Sequence, residues 1–148
     1  MTRREALQKL FRGMHADVQG YRRLRELLDE QFEAALQHRT EQVREVVERI
    51  SALAQELEAR RRERVDLVGR LAPRAAPPSI GAVAGMLQGA ARATFESCWS
   101  SLEKLVHECK RLNQRNCRLL MDQYEIMRRV LDDLAHGAGS EAGTYAPA

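Results

Sequence analysis

The side chains able to do chemistry in this chain are few and scattered. Histidines stand at His15, His38, His107 and His136, and cysteines at Cys98, Cys109 and Cys117. Only His107 has company of the metal-ligating kind, with Cys109, Glu103 and Cys98 nearby in sequence. Residues two apart face different ways on a helix, so His107 and Cys109 cannot hold one ion from the same helix. No metal is expected, and Cys109 reads as a small core hydrophobe. No Ser or Cys stands at a nucleophile elbow, and no phosphate loop follows a strand. The expectation is a protein without cofactors that is not an enzyme. The odd, irregular cysteine set argues against a disulfide framework and fits a reducing compartment.

Two groupings point instead to binding. Asn113 and Asn116 interrupt an apolar stripe, Asn116 at a position the stripe would give to a hydrophobe. Such amides either fix the register of a helix seam or hydrogen-bond an incoming helix. The run Arg60-Arg61-Arg62-Glu63-Arg64 offers either a surface for an anionic partner or a solvated helix section reaching beyond the bundle.

Long helices must position these residues. Leu102, Leu105, Cys109, Leu112, Leu119, Met127, Val130 and Leu134 recur at steps of three, four and seven. That spacing puts one stripe on a helix expected over about 90–135 and stopped at His136-Gly137. Leu7, Leu10, Phe11, Met14, Val18, Tyr21, Leu24, Leu28, Phe32 and Leu36 predict a first helix over 4–38, with a stripe wide enough for more than one neighbour. Gly13 and Gly20 on its edge are either points of close helix approach or simply tolerated. Val43, Val46, Val47, Ile50, Leu53, Leu57, Val65, Val68 and Leu71 predict a second helix over 40–71. The short link His38-Arg39-Thr40, with Thr40 as N-cap, makes the two an antiparallel hairpin. The Pro-rich stretch 72–79 breaks the chain. Ser79 can then cap a short helix over 80–88, either separate from the last helix or running into it. Residues 137–148 read as a flexible tail whose one large side chain is Tyr145. The expected fold is all-α: an elongated antiparallel bundle forming one domain over residues 1–136.

The totals agree. A chain of 148 residues supports one domain with a slender core. With 30% charged and 5% aromatic residues, the composition favours helix over sheet. Net charge is +3, from 24 basic and 21 acidic side chains, a near balance that argues against a nucleic-acid binder. No apolar run approaches the roughly 18–20 residues that cross a membrane, and MTRREALQKLFRG lacks the apolar core of a secretory signal. A cytoplasmic protein with no membrane insertion is expected.

With LQKLFRGMHADVQGYRRLRELLDEQFEAAL, the proline break, Asn113-x-x-Asn116 followed by Leu119-Leu120, and the tail pair Thr144-Tyr145 in view, the chain resembles the FlgN family of flagellar type III export chaperones. The resemblance covers most of the chain, and the paired asparagines with their flanking leucines mark it best. It implies a bacterial cytoplasmic chaperone that binds hook-associated (hook–filament junction) proteins, keeps them unassembled and delivers them for export. Cargo contact is then implied for Leu105, Leu112, Asn113, Asn116, Leu119, Leu120, Tyr124, Met127 and Leu131 on the last helix. Tyr145 is implied to dock on the cytoplasmic domain of the export gate. The competing use of the stripe is self-association into a homodimer, as in a structural coiled-coil adaptor.

Overall fold

A computed structural model gives the fold, and the structure describes residues 1–140. It contains four helices: α1 (Arg3–Leu36), α2 (Thr40–Leu71), α3 (Ile80–Ala84) and α4 (Gly89–Ser140). Among the described residues no strand is present, and the three long helices pack as an all-α bundle.

Helix α1 begins in a capping box: the Thr2 hydroxyl accepts from the Glu5 N–H, and Glu5 accepts in return from the Thr2 N–H. It ends in a Schellman closure. The Arg39 N–H donates to Ala34 O at 2.9 Å and the His38 N–H to Ala35 O at 3.2 Å, with His38 in the left-handed region at φ 54°. That geometry places α2 back along α1. Thr40 is the first residue of α2 rather than its cap; Arg39 holds the cap position and makes no side-chain hydrogen bond there. A β-carbon at φ 54° costs energy that glycine avoids, so His38→Gly is expected to raise the unfolding free energy by about 0.5–1 kcal/mol, read from chemical denaturation.

The connection from α2 to α4 shows a true break. Ser79 caps α3 by accepting from the Ala82 N–H at 3.1 Å, but α3 ends at Ala84 and not near Gln88. Gly89, at φ +61°, turns the chain into α4, a conformation that suits glycine best. At the other end, α4 runs through Gly137 to Ser140, past the expected stop. A glycine stops a helix most often by turning left-handed and closing the capping hydrogen bonds, and Gly137 stays helical within α4. Residues 137–140 are therefore helical and not tail, and Thr144 and Tyr145 lie outside the described residues.

Helix α1 is the shared member. It packs against both α2 and α4, whereas no Cα of α2 comes within 8 Å of a Cα of α4 among the described residues. Asp17 meets Arg60 and Arg64, so α1 and α2 are antiparallel. Tyr21, Leu28 and Ala35 meet Cys109, Asn116 and Gln123 at a constant offset of 88 residues, so α1 and α4 are parallel. The core is thickest at the end where α3 joins: Leu10, Met14, Leu67, Val68, Leu71, Val83 and Phe95 are buried together. There Phe11 meets Phe95 edge-to-face at 5.2 Å. Toward the hairpin turn the core narrows to Val18, Leu102 and Leu105, then to Leu28, Cys109 and Leu112.

The charged run is divided between the bundle and solvent. Arg60 donates from Nε to Asp17 at 2.6 Å, and Arg64 donates to the other carboxylate oxygen of the same residue. Arg61 and Arg62 both donate to Glu58. The Arg61 hydrogen bond is the main reason the Glu58 carboxyl is held down at about 2. Arg60 and Arg64 are thus spent on a buried carboxylate, whereas Arg61 and Arg62 stay on the solvated face in pairs with Glu58. Gly20 makes the approach possible: a β-carbon there would lie 2.6 Å from Arg60 Nη2 and 2.9 Å from Leu57 Cδ2. Gly13 has nothing within 4 Å of that position and is merely tolerated.

Candidate functional site

Seven-residue spacing on α4 writes a ladder onto α1. Cys109 Sγ donates to Tyr21 O at 3.4 Å, Asn116 Nδ2 to Leu28 O at 2.7 Å, and Gln123 Nε2 to Ala35 O at 2.9 Å. Donors every seven residues stay in step with carbonyls every seven residues on a parallel neighbour. Asn116, only 2% exposed, also donates to Gln31 Oε1 at 2.8 Å and accepts from Arg115 Nε at 3.1 Å. Its polar atoms are all satisfied inside the fold. Beside it Arg115 stacks on Phe32 at 3.9 Å and reaches Asp29 at 3.1 Å.

Part of the expected cargo surface is engaged within the fold. Leu105, Leu112 and Asn116 are buried against α1 and form the fold's own seam. Asn113 is exposed and lies on the opposite edge of the stripe. The two amides, three residues apart, therefore do different things.

Beyond Gln123 the same stripe continues with no protein against it. Leu119 and Leu120 are half-buried, while Tyr124 is 68%, Met127 58% and Leu131 58% exposed. Met121, Ile126 and Val130, which the sequence reading left out of the site, are exposed as well. The cause is length: α1 ends at Leu36, level with Gln123, whereas α4 goes on to Ser140. Residues 124–140 extend roughly 25 Å at about 1.5 Å per residue. Contiguous exposed apolar surface of this kind marks an interaction site.

Below the overhang lies a cleft between α2 and α4. Tyr21, Leu24 and Leu28 of α1 form its floor, Ile50 and Ala54 of α2 one wall, and Val106, Cys109, Lys110 and Asn113 of α4 the other; its volume is about 270 Å³. Burial first, and then Glu108, pushes the Cys109 thiol up to about 11. Cys117, by contrast, is exposed. Alkylation by iodoacetamide at pH 8, followed peptide by peptide in a mass spectrometer, is expected to modify Cys117 at least tenfold faster than Cys109, because the thiolate is the reactive species.

Among the described residues no three of His, Cys, Asp and Glu gather as metal ligands, and no helix is long and apolar enough to cross a membrane. Set against known families, residues 1–148 match the model described as FlgN protein. No curated protein and no solved structure matches the chain.

Proposed function

Since the chain belongs to the FlgN family, a family of flagellar export chaperones whose members bind export substrates, we propose that its cargo is the hook–filament junction proteins. It holds their terminal helices unassembled in the cytoplasm and delivers them to the export apparatus. The single observation that carries this reading is the unpartnered apolar stripe of α4 beyond Gln123, with Tyr124, Met127 and Leu131 open to solvent. An amphipathic helix laid on that stripe would bury both apolar faces at once, which needs neither nucleotide nor catalysis. Leu119, Leu120 and Asn113 extend the surface toward the bundle. Met121 and Met127 supply side chains that adapt to more than one cargo. Tyr145 remains the candidate for docking on the export gate, by family resemblance alone.

The test is copurification with the C-terminal segment of a hook–filament junction protein, using the full chain and a chain ending after Gln123. A cut at Gln123 leaves every ladder contact in place, whereas a cut at Leu102 would strip Leu105, Cys109 and Leu112 from α1. Capture by the full chain and loss in the shorter one is the expected result. A full chain that captures nothing and forms a tight dimer which cargo cannot open would replace this reading with self-association.

A further inference from the structure

The cleft between α2 and α4 has a second wall that the chaperone reading, on which this inference rests, does not use. On α2, Val43, Val47, Ile50 and Ala54 recur at helical spacing and so share one face. Ile50 and Ala54 line the cleft directly, and Val47 is 43% exposed. We propose that one amphipathic helix of the cargo lies in this cleft and continues along the overhang, gripped by α2 as well as by α4.

Three observations select that occupant. The walls are helices whose Cα atoms stay more than 8 Å apart, with apolar side chains below and on both sides. That is the seat of a further helix in a bundle. The cleft is closed at one end, where Arg64, anchored on Asp17 of α1, crosses from α2 to lie 5.5 Å from the Trp99 ring of α4. It is open at the other, where α4 carries the stripe onward through Leu120, Tyr124 and Leu131. From Val106 to Leu131 the track is roughly 37 Å long at about 1.5 Å per residue, so it takes one continuous helix of some seven turns. The polar groups on the rim set its chemistry. Lys110 lines the cleft and joins no ion pair among the described residues, and Asn113 offers an exposed amide beside it. The cargo helix therefore carries a carboxylate opposite Lys110 at the edge of its apolar face.

The experiment places the photo-crosslinking residue p-benzoylphenylalanine at Ala54, at Tyr124 and, as an outward-facing control, at Glu48. Each full-length chain is irradiated with and without the purified C-terminal segment of a hook–filament junction protein. Crosslinks to that segment from positions 54 and 124, and none from 48, are expected. Ala54→Arg is expected to weaken binding about tenfold or more at an unchanged melting temperature, since Ala54 is exposed in the free protein. Crosslinking from 124 with none from 54, or full affinity in Ala54→Arg, overturns the cleft proposal and leaves the overhang as the cargo surface. No crosslink from either position means that the chaperone reading itself has failed. A chain-to-chain crosslink from 54 that persists with cargo present assigns the cleft to a second copy and overturns the proposal.

Discussion

Asp17→Ala is expected to lower the unfolding free energy by about 2–4 kcal/mol, the largest stability loss among single substitutions outside the apolar core. Breaking a fully buried ion pair from one side costs about 3–5 kcal/mol, because a charge is left without its partner. Here the Asp17 side chain is 2% exposed, but Arg60 and Arg64 are 27% and 17% exposed and regain some water, which shifts the effect about 1 kcal/mol below that range. For a chain of this length the melting temperature should fall by about 5–12 °C. Asp17→Asn should lose most of the same stability, since it keeps the volume and removes the charge. Trp99, under the Arg64 guanidinium, reports the change by its fluorescence. A double-mutant cycle isolates the pair: Arg64→Ala should cost clearly less in the Asp17→Ala background than alone. A loss below about 0.5 kcal/mol for Asp17→Ala would mean that the cluster is only a surface arrangement.

Met127→Asp together with Leu131→Asp should weaken cargo binding by a hundredfold or more while leaving the fold intact. Both side chains are 58% exposed, so the free protein loses little when they become charged. In the complex they would be buried. Each desolvated carboxylate facing an apolar helix would cost at least about 1.4 kcal/mol, a factor of ten in affinity. Titration calorimetry with a junction-protein segment reads the affinity, and circular dichroism confirms the helix content. Undiminished affinity would remove the overhang from the binding surface. Leu105→Asp is the instructive contrast: Leu105 is buried under Val18 and Leu102, so this change should unfold the bundle before it says anything about cargo.

Much of the fold was legible in periodicity. The apolar positions of α1 and α2 predicted two helices with a tight turn, and Ser79 marked the start of α3. The capping box at Thr2 and Glu5 is also readable from residue type and spacing. The role of Arg60 and Arg64 was legible in a subtler way. In a hairpin turning near residue 38, position 17 falls opposite position 60, and Asp17 is an acid standing among Met14, Val18 and Tyr21. Periodicity did not reveal how far α3 runs, because Gly89 turns the chain through a left-handed backbone angle and not through pattern. Nor could it divide the α4 stripe into covered and open halves. That division depends on α4 lying parallel to α1 and on where α1 ends against it, and no residue of α4 encodes the length of its neighbour. The same reason separates Asn113 from Asn116: a rotation of some 60° between them moves one amide out of the seam and into the cleft.

The overhang has a thermodynamic side. A single unsupported helix of four or five turns is marginal in water, because its hydrogen bonds barely offset the entropy of ordering it. Residues 124–140 have neither α1 nor α2 to lean on, so their helicity is linked to whatever lies against them. Occupancy raises the stability of that segment by RT ln(1 + [L]/Kd) and does little for the Phe95 end, which is already packed. The molecule therefore divides its labour along its length. On the proposed reading, one end keeps its structure whatever the cargo concentration, and the other becomes as ordered as the concentration of its partner makes it.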